Sequence, residues 1–390
     1  MKIKSALISV SDKNKLKEVL KVLKKYKINL ISSGGTYKKI KSLGYSCIEV
    51  SQYTNFPEIL DGRIKTLHPK IHSGILYKRN NSSHKKILRK LNFKSIDLVI
   101  TNFYPFKNTI SKTNNHKKII ENIDIGGPTL VRSAAKNYND VVIITKIEQY
   151  KELIQELNIY KGKTSIGFRF KMSREAFGET ASYDSTIYNY FNSISDITFP
   201  ERLLVDSKLV QTLRYGENPH QKAAIYSNEE NFKLTKLQGK DLSYNNYNDI
   251  FACLNIVKTL PKNNGTVIVK HANPSGVSIE KNHLKSYLSA MNCDPISAFG
   301  GIVACNFKLD NKTAKEIIKN YYEVVIANGF EKNSLKILSS KKNLRLIDSS
   351  KISFVDRKLV SGINSYLMQT NDNQIFDSKN FKVVSKIKPS

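Results

Sequence analysis

The sequence predicts an α/β protein, a mostly parallel sheet followed by a second α/β segment, and three observations predict it. Apolar strand-like runs alternate with helical periods from residue 5 to about residue 150, several runs stop at polar, glycine-bearing turns, and a polar stretch near residue 200 separates this region from another alternating one. Strands are expected near residues 5–10, 28–31, 46–50, 96–101 and 140–144. A helical pattern follows from Lys163 to Phe191, with Ile166, Phe170, Phe177 and Ala181 as its apolar positions. The polar stretch Ser193 to Ser207, containing Phe199-Pro200-Glu201, is the expected boundary and gives domains 1–195 and 208–390. Beyond it, strands are expected near 222–226, 266–269, 301–305 and 323–327, with helices between them.

Composition narrows the class. A chain of 390 residues that is 40% hydrophobic buries a large core and reads as two ordered domains. No apolar run approaches membrane-spanning length, and Met1-Lys2-Ile3-Lys4 leads straight into a strand without a signal-peptide core, so the expectation is a cytoplasmic protein with no membrane association. Cys47, Cys253, Cys293 and Cys305 are scattered, with no CxxC and no clustered histidine, so neither disulfides nor a metal site is expected. The formal net charge of +30 invites a nucleic-acid reading. Its lysines are spread over nearly every expected helix, however, and no RNP motif, zinc finger or recognition helix accompanies them. General charge inflation that favours anionic substrates is the better account.

The turns carry the chemistry. Arg63-Ile64-Lys65-Thr66-Leu67-His68-Pro69 puts two cations, a hydroxyl and an imidazole into seven residues and ends at proline, as a loop that holds an anion or polarises a carbonyl would. Ser32-Ser33-Gly34-Gly35-Thr36 follows an apolar run and opens a helix, the order that aims free amides at a phosphate. It is neither a Walker loop, lacking that motif's lysine, nor GxGxxG. Ser9-Val10-Ser11-Asp12-Lys13 closes the first strand with hydroxyls and a cation, and Asp124-Ile125-Gly126-Gly127-Pro128-Thr129 sets a carboxylate before a glycine pair and a helix ending at Ala135-Lys136-Asn137. Open α/β sheets bind ligands at the carboxyl ends of their strands, so these turns are expected to share one site.

In the second segment, Val267-Ile268-Val269 runs directly into Lys270-His271-Ala272-Asn273-Pro274-Ser275-Gly276, which joins a cation to the side chain that titrates near neutrality. Leu213-Arg214-Tyr215-Gly216-Glu217-Asn218-Pro219-His220 clusters planar donors with an aromatic face, as a heterocyclic phosphoester would require. Ser297-Ala298-Phe299-Gly300-Gly301 and Leu242-Ser243-Tyr244-Asn245-Asn246 add an aromatic ring and amides. None of these identifies a reaction alone.

In this order the motifs SVSDK, SGGT, RIKTLHP, NFYPF, DIGGPT, AAKN, LRYGENPH, KHANPSG and SAFGG resemble those of the AICAR formyltransferase/IMP cyclohydrolase family of purine biosynthesis, from residue 5 to Ser390. The resemblance implies an N-terminal methylglyoxal-synthase-like domain that cyclises formyl-AICAR to IMP without a cofactor. It further implies a partial cytidine-deaminase-like domain that transfers a formyl group from 10-formyltetrahydrofolate to AICAR. For cyclisation it implies Lys136 as proton donor and acceptor, with Lys65, Tyr104 and Asp124 orienting the amide and stabilising oxygen charge. Ser11, Asp12, Lys13, Ser33, Gly34, Gly35, Thr36, Arg63, Ile64, Thr66, Asn102 and Ile125 would bind the nucleotide. For formyl transfer it implies His271 as base and Lys270 as transition-state stabiliser, with Arg214, Tyr215, Asn245, Phe299, Gly300 and Glu323 around the nucleotide. Family members are typically homodimers. Segments like SNAIVYAK, GAGQMSR and DAFFPFRD and the family's terminal histidine have no counterpart here, so the formyltransferase domain is expected to be only its first part. Three readings stay open: a bifunctional enzyme completed by a separate C-terminal fragment, cyclohydrolase alone, and a non-catalytic partner-binding or nucleic-acid-binding chain.

Overall fold

Ser5-Ala6-Leu7-Ile8-Ser9-Val10 is apolar almost throughout because both faces of the strand it forms are covered, the mark of a parallel sheet. The computed structural model describes residues 1–228, 234–354, 357–372 and 382–387. The chain divides into two units, Met1–Asp206 and Ser207–Ser390. Most of the stretch from Asp372 to Ser390 lies outside the described residues.

In the first unit β1 (Ser5–Val10), β2 (Asn29–Ser32), β3 (Ile48–Glu49), β4 (Leu98–Asn102) and β5 (Val142–Ile144) form a parallel sheet in the order β3-β2-β1-β4-β5. The order reverses between β1 and β4, so the loops leaving these two strands part and leave a crevice at the carboxyl edge. Helices α1 (Leu16–Lys25), α2 (Gly34–Ser42), α3 (Val50–Thr54), α4 (Pro69–Leu76), α5 (Ser82–Lys90), α6 (Phe106–Lys112), α7 (His116–Glu121), α8 (Gly126–Lys136), α9 (Tyr150–Ile159) and α10 (Ile166–Ile194) connect and cover the strands. The amphipathic pattern of α1 shows why: Leu16, Val19, Leu20 and Leu23 fall on one stripe and are buried.

The long helix α10 corrects the sequence reading. Ile166, Phe170, Phe177 and Ala181 lie on its exposed side, and the buried stripe is Phe168, Arg169, Met172, Ser173, Ala176, Thr180 and Tyr183. Arg169 explains the misphasing. Its guanidinium is buried because it donates to the carbonyls of Tyr138 (2.8 Å), Asn139 (3.0 Å) and Thr164 (2.7 Å), whereas periodicity counts an arginine as surface.

The second unit holds a six-stranded mixed sheet in the order β10-β9-β11-β12-β13-β8 and two hairpins, β6-β7 and β14-β15. Its strands are β6 (Lys208–Leu213), β7 (Ala223–Ser227), β8 (Thr235–Gln238), β9 (Gly265–Lys270), β10 (Asn273–Ile279), β11 (Ile302–Cys305), β12 (Val324–Ala327), β13 (Arg345–Asp348), β14 (Arg357–Gly362) and β15 (Ser365–Thr370). Its helices are α11 (Tyr244–Val257), α12 (His283–Cys293), α13 (Pro295–Ala298), α14 (Asn311–Ile317) and α15 (Lys332–Ser339). Side chains alternate across the sheet. Ile268, Val303, Val325 and Leu346 pack with α12, α14 and α15, while Val267, Val269, Ile302 and Ile326 pack with α11 and the β6-β7 hairpin.

Candidate active sites

The crevice of the first unit is closed by side chains that tie its loops together. Asn102, the last residue of β4, stands beside Val10 in the sheet. Its carboxamide oxygen accepts from the Ser11 N–H (2.7 Å) and the Asp12 N–H (3.0 Å), and its nitrogen donates to the Asp12 carbonyl (3.0 Å). Thr36 is buried and performs the same task one strand over, accepting from Val10 N–H (3.0 Å) and donating to Val10 O (2.9 Å). Both residues therefore build the turn, and the surface they shape belongs to Ser11, Asp12 and Lys13. The Lys13 ammonium curls back to the Ser11 carbonyl at 3.0 Å.

Helix α2 begins at this wall. Ser33 is its N-cap but its hydroxyl makes no capping bond, which leaves the first amides of the helix without a protein acceptor from that side chain. Gly34 has φ +50, and a Cβ there would stand 2.8 Å from the Lys65 ammonium; a Cβ on Gly35 would stand 3.8 Å from that of Lys13. Two ammonium groups thus flank one helix N-terminus, the arrangement that favours an anion.

The loop between α3 and α4 supplies the other wall. Lys65 is held by Glu58, Nζ to Oε1 2.6 Å. Arg63 pairs with Glu121 of α7 and both are exposed, while Ile64 bridges to Ile59. Thr66 is buried, its hydroxyl 2.9 Å from where a Cβ on Gly126 would lie, so a larger residue at the start of α8 would displace that hydroxyl. Just before it, Asp124 accepts from the amides of Gly127 (2.8 Å) and Tyr104 (3.4 Å). Burial raises the Asp124 carboxyl above the ordinary carboxylate range, although those amides pull the other way. Ile125 and the Tyr104 ring are exposed at this rim.

Lys136 does not join this group. Strands β4 and β5 are parallel neighbours, so α8 between them must return the chain from the carboxyl edge to the amino edge. Its eleven residues set Lys136 about 15 Å along the axis from Gly126. Next to it, Asn137 donates to the carbonyls of Ile75 (2.7 Å) and Tyr77 (3.1 Å), and Arg79 from that segment reaches Asp97 at 3.3 Å, which in turn accepts from the amides of Lys4 and Ser5. These are the amino ends of β4 and β1. Within one copy of the chain Lys136 is thus exposed on the opposite edge of the sheet from the crevice.

In the second unit β9 ends at Lys270. It turns at His271-Ala272 directly into β10, with Asn273 paired to Lys270. Both turn residues have positive φ, 53 and 57, the two-residue hairpin geometry that normally takes Asn-Gly. Such strain costs about 1–3 kcal/mol per residue and gathers at functional sites. Asp249 of α11 offsets it by accepting from the Ala272 N–H at 2.7 Å, and Asn273 donates to the His271 carbonyl at 2.9 Å. Pro274 and a bulge at Pro274/Gly276 are tolerated because β10 is an edge strand.

Lys270 donates to the Phe299 carbonyl at 2.9 Å, Gly300 N–H to the Tyr321 carbonyl at 2.8 Å, and the rings of Phe299 and Tyr321 lie 5.2 Å apart. Glu323 N–H donates to Gly301 O, and its carboxylate accepts from Asn246 (2.8 Å) and Arg345 (3.4 Å). Lys270, Phe299, Gly300 and Glu323 are thereby linked, with His271 exposed at the turn beside them. Asn245 is exposed on α11, and its neighbour Asn246 is the one buried against Glu323. Arg214 and Tyr215 form a pair of their own, guanidinium to ring centroid 5.6 Å. Among the described residues no three of His, Cys, Asp or Glu lie together as metal ligands would.

A family described as AICARFT/IMPCHase bienzyme matches residues 134–390, and one described as MGS-like domain matches residues 15–129. The chain belongs to the AICARFT/IMPCHase bienzyme family. Its similar relatives include the bifunctional purine biosynthesis protein PurH of Acetivibrio thermocellus, 44% identical over 100% of this chain and 77% of that protein. Those of Thermoanaerobacter sp. (45%; 99% and 77%) and Bradyrhizobium diazoefficiens (41%; 100% and 75%) are alike. A solved structure described as "Crystal structure of ForH" aligns with 48% of the chain and 99% of its own at 25% identity and a TM-score of 0.44. Within this bienzyme chain, Glu58, Asp249 and Tyr183 are the contributors that sequence reasoning missed. Of these, only Glu58 had a readable signal, as the carboxylate preceding a basic loop.

Proposed function

We propose that the first unit closes formyl-AICAR to IMP with loss of water and that the second transfers a formyl group from 10-formyltetrahydrofolate to AICAR, in the cytoplasm and as a homodimer. The observation that supports the first reading is the circuit of hydrogen bonds and close approaches around the crevice: Asn102 bonded to the Ser11–Lys13 turn, Lys13 near Gly35, Lys65 near Gly34, Thr66 near Gly126, and Tyr104 bonded to Asp124.

The ribose phosphate sits at the amides opening α2, with Lys13 beside it and Ser11, Asp12, Ser33, Gly35, Arg63, Ile64, Asn102 and Ile125 around the nucleotide. Asp124, shielded from water, takes the proton that the carboxamide nitrogen loses as it attacks the formyl carbon. Lys65 faces the oxygen on which charge develops, and Tyr104 orients the amide. A C–N bond forms, Asp124 passes its proton to the formyl oxygen, and the C–O bond breaks as water leaves with a second proton from the formamide N–H, a C=N bond forming in the ring. Positioning both groups in one molecule supplies most of the advantage. In the second unit His271 accepts the proton of the AICAR amine as it attacks the formyl carbon, Lys270 stabilises the formyl oxygen, and the bond from that carbon to the folate nitrogen breaks, the nitrogen taking up a proton as tetrahydrofolate leaves. Arg214, Tyr215, Asn245, Phe299, Gly300 and Glu323 surround the nucleotide.

Paired assays test both halves: IMP formation from formyl-AICAR, and formylation of AICAR by 10-formyltetrahydrofolate, the latter repeated with His271→Ala. Ring closure and His271-dependent formyl transfer are expected. Absence of ring closure overturns the first assignment, and formyl transfer that is absent or indifferent to His271 overturns the second.

A further inference from the structure

We propose that Tyr183, in the middle of α10, is a positioning residue of the cyclisation site, its phenol fixing the main chain at Asp124 and its ring bracing the loop that carries Tyr104. The inference rests on the cyclohydrolase reading above. The Asp124 N–H donates to the Tyr183 oxygen at 2.8 Å, and the phenol donates onward to the Asn122 carbonyl at 3.4 Å. Its ring lies 4.9 Å from Phe103 and 6.2 Å from Phe106, the residues on either side of Tyr104-Pro105. Tyr183 is buried in a small apolar cluster with Phe106 and Ile119, flanked by Ile123, Ile187 and Tyr190 and separate from the main core.

The consequence is mechanical. Asp124 and Tyr104 lie at opposite ends of the α6–α7 stretch of the β4–β5 connection, and the contact between them, Tyr104 N–H to Asp124 Oδ2, is long at 3.4 Å. A bond of that length is weak, as is the phenol's to Asn122, so the 2.8 Å bond from the Asp124 amide and the ring contacts carry the support. Tyr183 touches both, so one rigid helix sets where the carboxylate stands relative to the rim. Burial pushes the Tyr183 hydroxyl up to about 12, so it stays a neutral phenol that accepts one hydrogen bond and donates another through the working range.

The test uses the full chain and the pH profile of kcat for ring closure in the parent, Tyr183→Phe and Tyr190→Phe. Tyr183→Phe keeps the ring contacts and strips the acceptor from the Asp124 amide. Its kcat is expected to fall about tenfold with KM within about twofold, because a displaced catalytic group loses rate before binding. Its acid limb is expected to move to lower pH as the carboxyl turns toward water. Tyr190→Phe removes a phenol from the same cluster, one bonded to His116 at 2.8 Å, and is expected to leave the limb in place. If Tyr183→Phe does not fold, 3-fluorotyrosine placed at position 183 weakens the same acceptor, and the same direction of shift is expected. A Tyr183→Phe or fluorotyrosine profile that superimposes on the parent's overturns the inference, as does an equal shift in Tyr190→Phe. A parent that closes no ring is distinguishable at once, because it overturns the cyclohydrolase reading before any variant is compared.

Discussion

Resemblance implies Lys136 as proton donor and acceptor and Lys65 as a partner that stabilises oxygen charge, and within one copy of the chain only Lys65 stands at the rim. Lys65 stands against the Gly34 backbone and is steered by Glu58, whereas Lys136 is exposed at the far end of α8. Lys65→Ala is therefore expected to lower kcat for ring closure by about 10²-fold, the size of effect seen when one stabiliser of a developing oxyanion is removed. Lys136→Ala is expected to stay within about twofold of the parent, as surface substitutions do. Initial rates of IMP formation compare the two. Asp124 gives a second test at this scale. Its carboxyl is raised by burial, so the folded chain holds that proton more tightly than the unfolded one. The stabilisation this gives is present below the ordinary aspartate value and is lost as pH rises through the raised one. Asp124→Asn, which keeps an acceptor for Gly127, is expected to abolish turnover yet to gain melting temperature relative to the parent as pH rises through the raised carboxyl value. A difference in melting temperature between the two proteins that stays constant with pH would sink the assignment of a raised carboxyl.

Among elements, the carboxyl-edge turns were legible and the supports behind them were not. The strand ends at Val10, Ser32 and Asn102 and the helix starts at Gly34 and Gly126 follow from where apolar runs meet glycine and polar residues. The turn's fastening was hidden, because Asn102 and Thr36 look like ligand groups in sequence while their side chains are spent on neighbouring main chain. The hairpin at His271-Ala272 was hidden for a related reason: it lacks the glycine that such a turn ordinarily demands, and Asp249 from a distant helix makes up the difference. The buried stripe of α10 escaped because an arginine lies in it. Asn102→Ala is expected to loosen the Ser11–Lys13 turn, each lost hydrogen bond removing about 0.5–1.5 kcal/mol. KM for the nucleotide should rise about tenfold with kcat changed less, since the turn binds and does not react. Steady-state kinetics that leave KM unmoved would show the turn to be held by other contacts.

On the scale of the whole chain, the two units have cores of their own. Leu7, Val99, Val131 and Ile143 centre one, while Val267, Ile268, Val303 and Val325 centre the other. Every residue of the crevice circuit lies within Met1–Asp206. A fragment of residues 1–206 is thus expected to fold cooperatively and to close the ring with a kcat within about threefold of the full chain, as an independently folding domain of ordinary size can. Calorimetry and the IMP assay on the fragment decide this, and an unfolded or inactive fragment would place part of the site elsewhere. The net charge of +30 adds a general attraction for anionic nucleotides, but it is distributed along the chain and marks no particular surface.

The most direct measurement is the rate of IMP formation from formyl-AICAR by the purified chain and by its Lys65→Ala, Asp124→Asn and Lys136→Ala variants under one set of conditions. Turnover in the parent and in Lys136→Ala, with near-complete loss in the other two, is the result predicted for a site at the carboxyl edge of the parallel sheet. Turnover that survives loss of Lys65 and Asp124, or that vanishes with Lys136 alone, would contradict it.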